Sequence, residues 1–438
     1  MKKIAYFALV SCAFLLAASC ASVAHYDSID ADVMEGNFAG GLAKVRAAKE
    51  KSYAAKDRVV YYLDEGMLAH FAGAYTESAE SLQSAERAIS ENFTKSVTTE
   101  VSSYLVNDNV LEYAGEDYED VYLNAFNALN YFYSGSTDDA LVEIRRVDNK
   151  LKGITTKYGA ATTNAQKASL EKSSEIPYDK DAMTSRFTNS ALARYLSMLF
   201  YRSEGRFDDA RIDRDQVKLA FANQPFVYPF ALPPSLQDEL SVPKGQARLN
   251  FISFNGMSPV KHESVTRVMI DRDNWVKISL PVIFRRPSEI ARTEVQFDSG
   301  ETVSLAMLED LGAIAEETFR QKAGFIYFKT IVRSIAKTTT SAVMDEASNQ
   351  LDGDAALLMG LLSLGTQVYA EASEQADLRM SRYFPSQALV GGINLAPGKY
   401  SFTVNYYDSA NRLVQSRRFE NVEVKAKSLN LVEAVCIK

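Results

Sequence analysis

The sequence predicts an α+β multidomain chain: an N-terminal α-helical repeat array over residues 32–222, then a β-sandwich-like domain over 246–438 with a helical insertion at about 303–376. Three observations predict it. One glycine-based spacing recurs at Gly36, Gly73, Gly135 and Gly205. Five prolines, Pro225, Pro229, Pro233, Pro234 and Pro243, then interrupt the chain and mark a linker at 223–245, because proline stops helices and favours extended backbone. Beyond them the apolar period shifts from three or four residues to two.

The chain opens with Lys2 and Lys3, then an apolar run from Ile4 to Ala18 that is too short to span a bilayer comfortably. This pattern predicts a signal peptide at 1–19. Ala17, Ala18 and Ser19 precede Cys20 and resemble the lipobox of bacterial lipoproteins, with Leu16 one place outside the strictest form. The resemblance implies cleavage before Cys20, acylation of its sulfur and a lipid anchor; two acyl chains hold where one is marginal. Ala21 and Ser22 lack the aspartate linked to inner-membrane retention, which favours the outer membrane. Residues 20–31 read as a lipidated tether.

Composition narrows the class. Of the cysteines, Cys12 leaves with the signal peptide and Cys20 is acylated, so Cys436 stands alone and no internal disulfide is expected. The chain carries 48 basic and 56 acidic residues; without Lys2 and Lys3 the balance is 46 against 56, a net charge of −10. That balance argues against nucleic acid as a partner. The length suits two or three domains, each with its own core.

Val59 to Ser90 is the clearest helical unit. Tyr62, Gly66 and Ala69 lie on a first helix, Gly73 supplies the turn, and Tyr75, Ser78, Leu82 and Ala85 share a face of the second. It resembles a tetratricopeptide (TPR) repeat, which buries its apolar face only by stacking on neighbours. Counted from each glycine, the frame is aromatic at plus two, small at plus five, aliphatic at plus nine and alanine at plus twelve. Thr137 departs from it at plus two and Arg214 at plus nine.

Before the third unit, Asn107, Asp108 and Asn109 favour turns, and Gly115-Glu116-Asp117 makes a second break with Asp117 as the expected helix cap. Asn107, Asp108, Asn109, Tyr113, Glu116, Asp117 and Tyr118 are the candidate partner-binding residues, at the mouth of the groove of the array. The alternative is a capped loop that orients two helix pairs. Tyr62-Leu63-Asp64-Glu65-Gly66-Met67, Leu105-Val106-Asn107-Asp108-Asn109, Gly115-Glu116-Asp117-Tyr118-Glu119 and Asn130-Tyr131 together resemble a family of bacterial envelope lipoproteins with TPR-like repeats. The resemblance implies a role in envelope assembly, in the company of lipoproteins that activate penicillin-binding proteins or assemble outer-membrane machinery. It implies no catalytic residue.

Ile154 to Ser174 reads as a linker. Strands are expected at Arg248–Asn255, Val265–Ile270, Trp275–Phe284 and Thr293–Phe297, with a turn at Asn255-Gly256, and again at Ala388–Ile393, Tyr400–Tyr407, Arg412–Val424 and Leu429–Cys436. Between them, Leu305, Leu308, Leu311 and Ile314 form a helical stripe. The apolar Leu357–Val368 reads as a buried helix.

No motif for catalysis stands out. His25, His70 and His262 have no second histidine or cysteine at ligand spacing, so no metal or other cofactor is expected. Asp377-Leu378-Arg379 reads as a structural pair or a substrate contact. The expected function is a lipid-anchored envelope scaffold, not an enzyme, that binds other envelope proteins through its groove. The alternatives are a peptidoglycan- or glycan-binding protein using Trp275, Tyr406 and Tyr407, and a self-associating structural subunit of a large envelope complex.

Overall fold

Gly36, Gly73, Gly135 and Gly205 close four helical hairpins. The structure, a computed structural model, describes residues 21–98, 108–157, 186–269, 275–324, 326–327, 330 and 375–438. The helix pairs are α1 (Ala21–Met34) with α2 (Phe38–Ser52), α3 (Arg58–Phe71) with α4 (Tyr75–Thr98), α5 (Asp117–Tyr133) with α6 (Thr137–Lys157), and α7 (Ala191–Ser203) with α8 (Phe207–Asn223). The four glycines have φ of 80°, 79°, 87° and 73°, the left-handed region that only glycine enters freely. Each residue after the glycine donates its N–H to the carbonyl five back: Asn37 to Asp32, Ala74 to Ala69, Ser136 to Tyr131, Arg206 to Tyr201. The next helix begins two residues past the glycine every time.

The spacing in sequence is therefore one helix-ending motif used four times. Positions plus five and plus twelve face the core: Ser78, Ala140 and Ala210, then Ala85, Val147 and Val217, are buried. Arg214, at an aliphatic position, instead lies at the edge and pairs with Asp215. Gly66 is where two helices touch most closely; a Cβ there would lie 2.6 Å from Leu82 Cδ2.

The β half contains two four-stranded sheets and a ribbon. The first sheet runs β10-β1-β7-β6, from β1 (Ala247–Met257), β6 (Ala306–Asp310), β7 (Pro385–Leu395) and β10 (Asn430–Cys436); β1 lies parallel to β10 and antiparallel to β7. The second runs β5-β4-β8-β9, from β4 (Arg292–Phe297), β5 (Thr302–Ser304), β8 (Gly398–Tyr407) and β9 (Leu413–Val424). The ribbon pairs β2 (Val260–Met269) with β3 (Trp275–Phe284). All eleven residues of β1 are buried, because β1 is covered on both faces. Alternation divides them: Ile252 and Phe254 join the core of the helices, and Leu249 and Phe251 join a second core with Phe297, Phe402 and Val404 of the other sheet.

Several expectations are corrected. The tether at 20–31 is helical from Ala21, because Ile29 and Val33, four apart, both reach the core. The linker at 223–245 does not merely pack on the surface as a domain boundary: Val227, Tyr228 and Leu236 sit in the same core as the helices and β1. The two halves thus share a core where separate ones were expected. The turn at Asn255-Gly256 lies inside β1, which runs to Met257. Glu116, not Asp117, precedes α5, and Glu119 reaches back to the Glu116 N–H at 2.7 Å.

The stripe of Leu305, Leu308, Leu311 and Ile314 is only half helical. Leu305 and Leu308 belong to the strand region, and helix α9 occupies 311–324. Leu305 joins the core between the two sheets and Leu308 the core of the helices, so residues three apart face opposite sides of a sheet buried on both, and a strand imitates the helical period. Leu357–Val368 and residues 158–174 of the expected linker lie outside the described residues, while 154–157 continue α6.

Candidate functional site

Residues 376–384 run without regular structure between the described end of the α9 region and β7, and lie along the helical array as a strap. At its start, Asn109 Nδ2 donates to the carbonyl oxygens of Gln375 and Ala376 at 3.2 and 2.9 Å. Glu263 on β2 accepts the Ala376 N–H. Arg379 comes next, and all five of its guanidinium donors are used. Nε and Nη2 fork onto Asp377 at 2.9 and 2.8 Å; Nη1 reaches Asp57 Oδ1 and Leu111 O, and Nη2 also reaches Asp108 O.

Two buried carboxylates of the array then hold consecutive main-chain amides. Glu119 Oε1 on α5 accepts the Ser381 N–H at 2.5 Å. Asp64 Oδ1 on α3 accepts the Arg382 N–H at 3.1 Å and the Ser381 hydroxyl at 2.9 Å, and its other oxygen accepts from Tyr53 and Tyr26. Asp30 on α1 takes Arg382 Nη2 at 2.7 Å and Tyr383 OH at 3.1 Å. Three hairpins of the array thus supply acidic groups to one extended segment.

The cluster around Tyr113 balances this charge. Glu116 Oε1 accepts from the ammonium groups of Lys261 and Lys322, brought in by β2 and α9. Lys261, Lys322 and Arg379 lie 5.6, 5.8 and 5.3 Å from the centre of the Tyr113 ring. Burial, with Glu116 close by, raises Glu119 to about 7. Burial raises Asp64 to about 6 against the lowering effect of the hydrogen bonds it accepts. Asp377 goes the other way: burial pushes it up, but the Arg379 fork outweighs that and holds it at about 2.

Two further buried carboxylates and one partly buried carboxylate join helices to the β half. Glu309 on β6 accepts from Tyr122 and Tyr228 hydroxyls, from Ser190 Oγ at 2.8 Å and from Leu192 N at 3.0 Å, at the start of α7. Glu239, in the proline-rich segment, meets Arg202 at 2.6 Å, Arg248 at 3.1 Å and Asn250 at 2.7 Å. Glu433 on β10 meets His70 Nε2 at 3.0 Å. The other ring nitrogen of His70 faces Asn130 Oδ1 at 2.7 Å, and the amide nitrogen of Asn130 is spent on Ser78 and Asn127. Nδ1 therefore donates, and a second donor at Nε2 makes the ring an imidazolium. Burial works against that charge, but Glu433 and Asn130 outweigh it and raise the His70 pKa.

The sequence-derived candidates lie within this seam. Asn109 binds the strap through its side chain and Asp108 through its carbonyl. Tyr113, Glu116, Asp117 and Tyr118 are buried, so they line an internal contact where an open groove mouth was expected. The reason is physical: cations from the β half cover them, and those cations come from more than a hundred residues away in sequence. Asn107 and Cys20 lie outside the described residues. Asp377 and Arg379 form the structural pair that their spacing suggested. Lys261, Lys322, Asp64 and Glu119 were missed as members of the cluster. Only an acidic residue on the apolar face of a helix, as at Asp64 and Glu119, signals them locally.

Tyr406 is buried in the second core, and Tyr407 lies under the Arg292 guanidinium at 4.0 Å. The side chain of Trp275 is outside the described residues. Among the described residues no group of histidine, cysteine and carboxylate side chains is placed to hold a metal ion, and no helix is long and apolar enough to cross a membrane. No protein-family model, curated protein or solved structure matches the chain.

Proposed function

We propose that this protein is a lipid-anchored scaffold of the bacterial cell envelope, in which a TPR-like array grips a β-sandwich-like domain and the rigid pair engages other envelope proteins during envelope assembly. The observation that carries this reading is the strap: two helical hairpins hold an extended segment by its main chain and a third holds its side chains, which is how helical-repeat scaffolds take up peptides. Here the segment is the chain's own. The inner face is therefore occupied, and partners meet the outside of the array. The last helix, α8, leaves Phe207, Ile212 and Leu219 exposed there.

The experiment is photocrosslinking in intact cells from Ile212 and Leu219, with Lys425 on the far sheet as control, followed by detergent extraction and mass spectrometry. The reading expects adducts with a few envelope proteins from α8 and none from Lys425. Adducts with the protein itself alone would support a structural subunit instead. Muropeptide adducts without protein would support cell-wall binding, a reading that the burial of Tyr406 does not favour.

A further inference from the structure

Five residues separate Cys20 from Tyr26, the first described side chain, which is docked: its hydroxyl donates to Asp64 at 3.2 Å and its ring meets Tyr53 edge-on at 6.3 Å. These residues are already helix, so they advance about 7.5 Å. Even fully extended they would span less than about 20 Å. Helix α2 runs back alongside α1: Lys44 Nζ donates to Ser28 O at 2.7 Å, and Gly41 packs against Val33 and Ile29. The last turn of α2 therefore returns to the Cys20 end, and the Gly36 turn lies at the other, beside Gln415.

The Cys20 end carries three exposed lysines: Lys49 and Lys51 in the last turn of α2, and Lys56 just beyond it. The exposed carboxylates nearby are Asp27, Glu50 and Glu112, the last beside Tyr113, whose N–H donates to the Lys56 carbonyl. Asp57 is taken by Arg379, and Arg58 pairs with Glu91. The exposed charges beside the anchor position are thus balanced, in a chain that is acidic as a whole.

We infer that the protein is mounted on the bilayer without a spacer, and that the end of the α1–α2 hairpin bearing Lys49, Lys51 and Lys56 faces the anionic headgroups of the membrane. This rests on acylation of Cys20. A short, docked connection leaves the body little freedom to tumble about its anchor. The lysines then lie within a Debye length of the headgroups, where each contributes roughly fivefold in affinity for an anionic surface. The competing account is that Lys49 and Lys51 merely complement the helix dipole; it expects no dependence on lipid charge.

The test uses the full mature lipoprotein, its intact mass checked for the diacylglycerol, in phosphatidylethanolamine vesicles with and without phosphatidylglycerol. A fluorophore is placed at Lys51→Cys or at Glu35→Cys, roughly 20 Å apart along the hairpin, and quenched by headgroup-labelled lipid. Quenching several-fold stronger at position 51 than at position 35 is expected. It should weaken when a flexible fifteen-residue Gly/Ser spacer follows Ser22, and, in the anionic vesicles only, when Lys49, Lys51 and Lys56 are changed to Glu. Equal quenching at both positions, or none at position 51, in an acylated protein overturns this inference alone. A protein whose Cys20 carries no acyl group overturns the anchored reading and this inference together.

Discussion

Arg379 shows how much one side chain contributes to the seam. Its removal leaves Asp377 and Asp57 without their cation in a largely buried site, a class of change that costs about 3–5 kcal/mol. Arg379→Ala should therefore lower the urea midpoint strongly, and Arg379→Lys should recover only part, because an ammonium cannot make the fork. Arg418→Ala, which breaks an exposed pair with Asp298, should leave the midpoint nearly unchanged. The pH dependence follows from Glu119, Asp64 and His70. Carboxyls raised in the folded state to about 7 and about 6 bind their protons more tightly there, so their contribution is full below pH 4 and lost as pH rises through 6 to 7. His70, also raised, contributes fully below 6.5 and loses its part as pH rises through its folded value. Asp377 opposes them only in acid, where its contribution is lost as pH falls from about 4 towards 2. The urea midpoint should fall from pH 5 to pH 8, and Glu119→Gln should flatten that fall; an unchanged slope would show that Glu119 does not titrate there. The pairing of Asp377 with Arg379 was legible because the two are neighbours in sequence. Asp57, 322 residues away, was not, because nothing local marks the partner of a long-range ion pair.

The helical hairpins were the most legible elements, because their signal is local: a left-handed glycine, a bond across five residues and a fixed restart of the next helix. Two glycines of one hairpin separate the causes. Gly73 has open space around it but a φ of 79°, so Gly73→Ala should cost about 1–2 kcal/mol from backbone strain. Gly66 has ordinary backbone but Leu82 against it, so Gly66→Ala should cost about 1–3 kcal/mol from overpacking. A Leu82→Ala background should relieve the second and leave the first intact; denaturation of the single and double variants checks both. The strands were legible through alternation, with β1 the exception, since an element buried on both faces loses it. The β5–β6 region was misread because leucines three apart are buried on opposite faces of a sheet covered on both sides. Helix α1 was misread because its apolar contacts, Ile29 and Val33, are two residues in an otherwise polar and alanine-rich stretch.

At the scale of the whole molecule, four buried carboxylates and a partly buried one connect the array to the β half: Asp64 and Glu119 to the strap, Glu309 to α5 and α7, Glu239 to α7 and β1, and the partly buried Glu433 to His70. A buried carboxylate deprived of its donors is costly, so neither half can leave the other without exposing several. The aromatic core crosses the same boundary, with Phe254 of β1 4.9 Å from Phe126 of α5. The sequence suggested two domains and a linker because composition changes at the prolines; it could not show that Val227, Tyr228 and Leu236 between them pack inside. The most direct measurement is hydrogen–deuterium exchange by mass spectrometry across a urea series on residues 21–438. Peptides from α3–α5 and from β1 and β7 should lose protection together, with one midpoint and one dependence on urea. A β half that keeps its protection after the array has opened would contradict the account, because the strap and the carboxylates would then not join the two.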